Sequence, residues 1–322
     1  MVKYSFTANF AKTSFVTERP LAVKIYQFQG HRDSIYCLES LGDGKTFCSA
    51  GAEGLVVLWS LDQPDQGHVL ARVSGSIYAM VYCSETGILY IGQNNEGIQA
   101  IDVKNKLLIK SISLGKVSLF SLTMNGNQIY AGTEDGELII LNRDELKVIS
   151  RTKLSSKSLR TIAVHPDNGQ LALGFSDHCI RILDLQKMKA IQEWSAHQGS
   201  VFTLAFEPNG KYLISGSRDA RLMRWTVSNG YEASGSAAAH LFTINHIAFS
   251  PDGEHFLTCS MDKTIKIWSS NDLTLLRVLD RARHAGHGNS VNRLLWLTTD
   301  EFVSAGDDRI VSVWKFHKIP PH

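Results

Sequence analysis

The chain has 322 residues, of which 43% are hydrophobic and 20% charged, and its formal net charge is +2. This composition is ordinary for a globular protein with a large core. A charge so close to neutral argues against a general nucleic-acid binder, which usually carries a strongly basic surface. No run approaches the roughly 18 apolar residues of a membrane span, and residues 1–5 lack the apolar core of a signal peptide. We therefore expect a soluble, cytoplasmic protein with no membrane segment.

The cysteines support the same expectation. Their number is odd, most of them fall in predicted strands, and no two have the spacing of metal ligands. The five positions are Cys37, Cys48, Cys83, Cys179 and Cys259. We expect buried free thiols in a reducing compartment, and we expect neither a metal site nor a cofactor.

In chain order, a predicted strand over about residues 22–29 is followed by a unit that recurs to the end of the chain. In its clearest copies the unit opens with a histidine. It contains three strands, with a turn between the first two and a tight turn before the third, and the third strand closes on an apolar residue. Its clearest copy is Ser200–Thr226. The closing residues are Trp59, Ile101, Leu141, Leu183, Trp225, Trp268 and Trp314, separated by 42, 40, 42, 42, 43 and 46 residues. This period is typical of four-stranded propeller blades.

In period and internal pattern, the chain resembles the WD40-repeat family over nearly its whole length. The Trp-Asp dipeptide is degenerate, because the residues after the seven closing positions are Ser60, Asp102, Asn142, Asp184, Thr226, Ser269 and Lys315. The resemblance implies an all-β, seven-bladed propeller, a single domain over residues 21–318. Too few residues follow Trp314 for a fourth strand. We therefore predict that the strand over about 22–29 completes the seventh blade and closes the ring.

Two segments fall outside the period. Residues 1–20 form an N-terminal extension with Phe6, Phe10 and Phe15, which we interpret as a strap over apolar surface or as a partner-binding arm. The longest spacing comes from an insertion at residues 280–286, between blades 6 and 7. It predicts a mildly basic loop over residues 280–288 and a further contact site.

Four blades carry a histidine, a hydroxyl residue, an acid and a tryptophan in one register. These sets are His31, Ser49, Glu53, Trp59; His197, Ser215, Asp219, Trp225; His240, Thr258, Asp262, Trp268; and His287, Ser304, Asp308, Trp314. In WD40 proteins such residues form buried hydrogen-bonded chains, which suits the donors and acceptors present. A hydrolase triad uses the same residue types, but four copies indicate a structural device rather than a catalytic site. Glu53 in place of aspartate leaves the geometry of blade 1 open.

Blades 2, 3 and 4 lack this set. Ile91, Ala131 and Leu173 stand at the hydroxyl position, and the tryptophan position is aliphatic. We expect these blades to depend on apolar packing.

The candidate binding residues lie two places after a small hydroxyl residue at the start of each first strand. They are Tyr36, Tyr78, Phe120, Arg160, Phe202, Asn245 and Asn292. The resemblance implies that they lie near the rim of the central channel, on a face that commonly binds peptides and proteins. Glu134 and Arg218, just before the tight-turn acid, are expected on the same face. Exposed aromatic residues and arginine are enriched in interaction sites.

These residues favour a non-catalytic scaffold or adaptor that binds a protein or peptide at the channel mouth. A small-molecule or glycan-binding propeller is the alternative, with the aromatic residues stacking and Asn245 and Asn292 recognising hydroxyls. A propeller enzyme is disfavoured, because Glu134 and Asp307 are the only acid–base candidates there. The sequence also leaves open that the aromatic side chains merely plug the channel.

Overall fold

The computed structural model describes residues 21–64 and 66–318. Within these ranges, 28 strands form seven four-stranded antiparallel sheets, and each sheet is one blade of a propeller. The predicted N-terminal extension, residues 1–20, lies outside the described residues. In the described part of the chain, no helix is long and apolar enough to cross a membrane.

Blade 7 is built from both ends of the described chain. Strand β1 (Ala22–Phe28) pairs antiparallel with β28 (Val311–Phe316), from Ala22 opposite Phe316 to Phe28 opposite Val311. The order in the sheet is β1, β28, β27 (Glu301–Gly306) and β26 (Val291–Trp296). This pairing confirms the predicted ring closure by an N-terminal strand, which leaves no open end in the ring of blades.

In the other six blades, the four strands follow one another in sequence. Blade 1 contains β2 (Ile35–Ser40), β3 (Thr46–Gly51), β4 (Leu55–Ser60) and β5 (His68–Arg72). Blade 2 contains β6 (Ile77–Cys83), β7 (Ile88–Gln93), β8 (Gly97–Asp102) and β9 (Leu107–Ser113). Blade 3 contains β10 (Leu119–Asn125), β11 (Gln128–Thr133), β12 (Glu137–Asn142) and β13 (Lys147–Lys153).

The same arrangement continues through blades 4 to 6. Blade 4 contains β14 (Leu159–Val164), β15 (Gln170–Phe175), β16 (Cys179–Asp184) and β17 (Lys189–Ser195). Blade 5 contains β18 (Val201–Phe206), β19 (Tyr212–Ser217), β20 (Arg221–Thr226), a 3-10 turn (Val227–Asn229) and β21 (Glu232–Ala238). Blade 6 contains β22 (Ile244–Phe249), β23 (His255–Ser260), β24 (Ile265–Ser269) and β25 (Leu275–Leu279).

The insertion between blades 6 and 7 forms one helical turn, α1 (Arg281–His284). Asp280 caps it, because its carboxylate accepts the backbone N–H of Arg283 at 2.8 Å and also pairs with the guanidinium of that residue at 2.6 Å. Part of the positive charge expected from the sequence is therefore balanced locally.

The hydrophobic core of the described residues is divided into seven clusters, and each lies between two neighbouring blades. The cluster between blades 7 and 1 contains Phe28, Trp59 and Val313, so the closing strand contributes to the core as well as to the sheet. Neighbouring blades approach closely: a Cβ on Gly216 of blade 5 would lie 2.8 Å from Cγ2 of Ile244 in blade 6. Each blade thus depends on its neighbours for burial of its apolar faces.

Candidate functional site at the channel mouth

Every first strand contains a register irregularity at the same position. In blade 1, Ile35 pairs with Gly51 and Cys37 pairs with Ala50, which leaves Tyr36 without a partner. The residues skipped in this way are Tyr36, Tyr78, Phe120, Arg160, Phe202, Asn245 and Asn292. Such bulges can redirect a side chain away from the regular ladder. Strand pairing therefore does not constrain which amino acid stands at these seven positions.

The seven bulged residues all line one cavity of about 600 Å³ at the inner edges of the blades, and all are half-buried. The structure thus brings together seven of the nine residues that we predicted as partner-binding. The other two, Glu134 and Arg218, are exposed and lie outside the lining of this cavity.

Five of the lining residues form a continuous contact series, which we call the aromatic band: Tyr36, Tyr78, Phe120, Arg160 and Phe202. The ring centroids of Tyr36 and Tyr78 are 4.9 Å apart, and those of Tyr78 and Phe120 are 5.6 Å apart. The guanidinium of Arg160 lies 4.3 Å from the Phe120 centroid and 5.1 Å from the Phe202 centroid. The band therefore runs without interruption across blades 1 to 5.

Arg160 places an uncompensated positive charge in the aromatic band. Its Nε donates to the hydroxyl of Ser176 at 3.0 Å, and no carboxylate of the described residues forms an ion pair with it. Burial lowers the pKa of the Arg160 guanidinium, and the nearby charge of Arg218 acts in the same direction. A guanidinium that is partly removed from water and lacks a counter-ion favours an anionic group as its partner.

The remaining sector of the cavity rim is closed by internal hydrogen bonds. The amide nitrogen of Asn245 donates to the carbonyl of Val291 at 2.8 Å and to the Ser290 hydroxyl at 3.0 Å. The amide nitrogen of Asn292 donates to Asp307 at 2.7 Å and to the carbonyl of Ile35 at 3.0 Å. These amides join blade 6 to blade 7 and blade 7 to blade 1, so their donors are already in use.

Sequence reasoning missed a further set of side chains in the cavity, which link adjacent first strands. Each accepts a backbone N–H from the first strand of the next blade. These pairs are Glu39 with Tyr82 (3.0 Å), Ser121 with Ile162 (3.2 Å), Thr203 with Ile247 (3.1 Å) and His246 with Leu294 (3.4 Å). The residue types differ from blade to blade, so no repeated pattern in the sequence marked them.

Two of these linking residues are titratable, and burial shifts both. It raises the pKa of Glu39 to about 7, although the Tyr82 N–H and the charge of Arg293 oppose the shift. Burial likewise lowers the pKa of His246 well below its ordinary value of 6.5. The imidazole is therefore neutral, which suits the acceptor role of its Nδ1 toward the Leu294 N–H.

The histidine sets form connected hydrogen-bond chains in four blades. In blade 5, His197 Nδ1 lies 3.1 Å from Asp219, His197 Nε2 lies 2.7 Å from the Ser215 hydroxyl, and Trp225 Nε1 donates to the same hydroxyl at 2.9 Å. The histidine-to-hydroxyl distances in blades 1, 6 and 7 are 2.7, 2.7 and 2.8 Å. Glu53 reaches His31 at 2.7 Å, so the longer side chain preserves the contact in blade 1.

Burial favours the neutral form of three of these histidines. It lowers the pKa of His31, His197 and His240, although the paired acid opposes the shift in each case. A neutral imidazole can donate from Nδ1 to the acid and accept the hydroxyl proton at Nε2. The four hydroxyl residues are completely buried, so a substrate has no access to them. The hydrogen-bond chain thus links the loop, the tight turn and the strands of a single blade.

Comparison with known proteins agrees with this architecture. Four stretches, residues 22–60, 188–226, 234–269 and 276–315, match the family model described as WD domain, G-beta repeat. The chain is a WD40-repeat protein. Each matched stretch begins near the outer strand of one blade and ends near the third strand of the next. Together they cover the blades of this WD40 propeller that carry the histidine sets.

The relatives of this WD40 protein are longer than the chain itself. Actin-interacting protein 1 of Caenorhabditis elegans is 23% identical over 294 residues, which cover 88% of this chain and 47% of that protein. Striatin of Rattus norvegicus is 25% identical over 233 residues, covering 64% and 29% respectively. The chain thus spans less than half the length of these relatives. The WD40 propeller domain of Doa1 superposes with a TM-score of 0.80 at 19% identity, covering 92% of this chain and 97% of that domain.

Blades 2 to 4 of this WD40 propeller, whose first three strands lie outside the matched stretches, carry polar links of their own. Side-chain hydrogen bonds join Gln93 to Ser74 in blade 2 (2.9 Å), Thr133 to Asp135 in blade 3 (2.5 Å) and Ser155 to Asp177 in blade 4 (2.6 Å). The expectation that these blades depend on apolar packing is therefore incomplete. Their links use other residue types at shifted positions, which alignment to the histidine register could not detect.

Proposed function

We propose that this WD40 propeller is a non-catalytic platform that binds a protein or peptide across the aromatic band. The observation that supports this most strongly is the band itself, which is continuous over five blades at a position that strand pairing does not constrain. A structural plug does not need an unpaired arginine among its rings. Aromatic side chains and arginine supply most binding hot spots in protein interfaces.

The partner is expected to present an acidic group to Arg160. That guanidinium has one hydroxyl partner, Ser176, and no carboxylate partner among the described residues. A carboxylate from outside would form a charge-assisted pair there. The name of actin-interacting protein 1 refers to contact with another protein, which agrees with a binding role for propellers of this kind.

A small-molecule or glycan binder is the second candidate, and the cavity volume of about 600 Å³ lies in the usual range for such ligands. However, the amide donors of Asn245 and Asn292, which that hypothesis needs for hydroxyl recognition, are bonded within the protein. A thermal-shift panel of metabolites and sugars separates the two candidates. A reproducible rise in melting temperature with one compound would favour the second.

The experiment for the first candidate compares capture of partners from lysate by three forms of the protein. They are the wild type, a channel variant with Tyr36, Tyr78, Phe120 and Phe202 changed to Ala, and a matched control. The control changes Leu107, Leu108, Val148 and Ile149 to Ala, which removes exposed apolar side chains from the outer strands of blades 2 and 3. We expect the wild type and the control to capture the same proteins and the folded channel variant to lose them. Undiminished capture by the channel variant would refute the proposal.

We also propose that residues 21–318 form one domain and that the protein is cytoplasmic. All five cysteines are unpaired, and four of them are buried. Burial raises the pKa of Cys37 to about 12, which keeps that thiol protonated and unreactive. Free thiols suit a reducing compartment. Cell fractionation tests the assignment, and recovery in a secretory fraction would contradict it.

A further inference from the structure

Blade 6 exposes three large apolar side chains on one surface. Leu241, Phe242 and Met261 are 83%, 58% and 57% exposed. We call these three residues the blade-6 patch. None of the three was among the residues predicted from the sequence to bind a partner.

Hydrogen bonds to backbone groups hold the three residues beside one another. The N–H of Leu241 donates to Asp262 at 3.1 Å, and the Ser260 hydroxyl donates to the carbonyl of Phe242 at 3.2 Å. The N–H of Met261 donates to the carbonyl of Thr243 at 3.1 Å. These bonds therefore link the loop before β22 to the turn after β23, on the face where the first strands begin.

Blade 5 shows that this backbone does not require apolar side chains. There the N–H of Gln198 donates to Asp219 at 2.9 Å, and the Ser217 hydroxyl donates to the carbonyl of Gly199 at 3.1 Å. The turn closes through the N–H of Arg218 and the carbonyl of Ser200 at 3.0 Å. Gln198, Gly199 and Arg218 thus occupy the positions of Leu241, Phe242 and Met261 in an equivalent framework. An exposed apolar cluster that the fold does not need is typical of an interaction site.

Two cations flank the blade-6 patch. The backbone N–H groups of Ala239 and His240 both donate to the carbonyl of Ala220, at 3.0 and 3.2 Å, which joins the turn of Arg218 to the loop of Leu241. Lys263 follows Met261 by two residues and is exposed. Neither Arg218 nor Lys263 forms an ion pair within the described residues.

The acids nearest to this surface are already engaged. Asp219 pairs with His197 and Asp262 pairs with His240, and both also accept backbone N–H groups. Both carboxylates keep their charge, because their histidine partners are neutral, but their side chains are only 11% and 5% exposed. The exposed charges beside the patch are those of Arg218 and Lys263, which complement a negatively charged partner rather than a basic one.

We propose that the blade-6 patch is a second anchor for the protein partner, and that it binds an acidic segment carrying a bulky apolar side chain. The apolar side chain packs on Leu241, Phe242 and Met261, while neighbouring carboxylates pair with Arg218 and Lys263. This inference rests on the proposed function, because the segment continues toward Phe202 and Arg160 at the channel mouth. It adds the chemical class of the partner and a specific subsite.

The test uses a displayed library of random twelve-residue peptides, selected on the wild type. Selected peptides are then measured against a patch variant with Leu241→Gln, Phe242→Gly and Met261→Ser, which are residues that blades 5 and 4 carry at these positions. A charge variant with Arg218→Gln and Lys263→Asn is measured in parallel. Circular dichroism and melting temperature establish that each variant is folded.

We expect enrichment of peptides that combine acidic residues with a bulky apolar residue, and an affinity loss of about tenfold or more on the patch variant. The charge variant should lose affinity mainly at low salt, since exposed ion pairs are screened as salt rises. Enrichment of basic peptides, no enrichment at all, or equal affinity for the patch variant would each overturn the inference.

The channel variant described above separates this inference from the proposed function. Peptides that lose affinity on the channel variant but not on the patch variant would contradict the second anchor and leave the channel-mouth site standing. Peptides that lose affinity on the patch variant but not on the channel variant would support the anchor and contradict the channel-mouth site. We expect the selected peptides to lose affinity on both variants.

Discussion

The guanidinium of Arg160 lies 4.3 Å from the ring centroid of Phe120, and this contact joins the aromatic residues of blades 1 to 3 to Phe202 in blade 5. Arg160 is half-buried and has no acidic partner among the described residues. A fold gains little from a charge in this state, because desolvation opposes it. This state of Arg160 supports the proposed binding role of the aromatic band.

Replacement of Arg160 by Met should separate those two roles. We expect the free energy of unfolding to change by less than about 1 kcal/mol, since the cation–π contacts and the bond to Ser176 are lost while an unpaired charge is removed. Capture of the partner should fall strongly. Urea unfolding and quantitative capture measure the two effects, and a large stability loss with unchanged capture would show a structural role instead.

Ser215→Ala tests the hydrogen-bond chain of blade 5. The change leaves the Trp225 N–H and His197 Nε2 without their common partner in a buried site. We expect a loss of about 2–4 kcal/mol in the free energy of unfolding, because each buried group loses its hydrogen bond. Ser228→Ala, at an exposed position in the same blade, serves as the control and should change stability by less than about 0.5 kcal/mol.

Phe28→Ala tests the closure of the ring. Phe28 is 2% exposed, and its ring centroid lies 5.0 Å from that of Trp59 in the core between blades 7 and 1. Removal of the ring should cost about 3–5 kcal/mol. Tyr26→Ala changes an aromatic residue of the same strand that is 41% exposed and should have a much smaller effect. Equal effects of the two changes in thermal unfolding would argue against a closing role for the buried face of β1.

The buried histidines should lower the stability of the fold as the pH falls below about 6.5. Burial lowers the pKa of His31, His197 and His240 from the ordinary value of 6.5, so each takes up a proton more readily in the unfolded chain than in the folded one. Their contribution is complete above pH 6.5 and is lost progressively toward the lowered values. Glu39 acts in the opposite direction, because burial raises its pKa to about 7 and the folded chain binds this proton more readily. Urea unfolding of the wild type and of His240→Gln at pH 7.5 and pH 5.5 therefore isolates the histidine contribution. His240→Gln should be less stable at pH 7.5 and should lose less stability than the wild type on acidification; an equal change in the two proteins would contradict the assignment.

The repeat allowed the fold to be predicted from the sequence. The spacing of the seven closing residues from Trp59 to Trp314 predicted blades of about 42 residues, and the missing last strand predicted closure by the segment that becomes β1. Both inferences work because every blade must satisfy the same packing constraint. A period that recurs seven times carries far more information than any one strand.

The site could be predicted only in part, because its residues are not subject to a constraint that every blade shares. The bulge at Tyr36 and its equivalents arises from the register of β2 on β3, and aromatic, basic and amide residues all occupy it. The repeat register located these seven residues in the sequence, but no residue type marks the bulge itself. Leu241 and Phe242 follow the histidine of blade 6 in a loop whose backbone bonds are common to several blades, so only their exposure distinguishes them.

Site-specific photo-crosslinking in cells tests whether a partner contacts the aromatic band. A benzophenone amino acid is placed at Phe120, in the aromatic band, and in a separate variant at Leu108, an exposed residue of the outer strand β9. We expect a discrete crosslinked protein from position 120, which the Arg160→Met change weakens, and none from position 108. Crosslinks from position 108 alone, or none from position 120, would contradict this expectation.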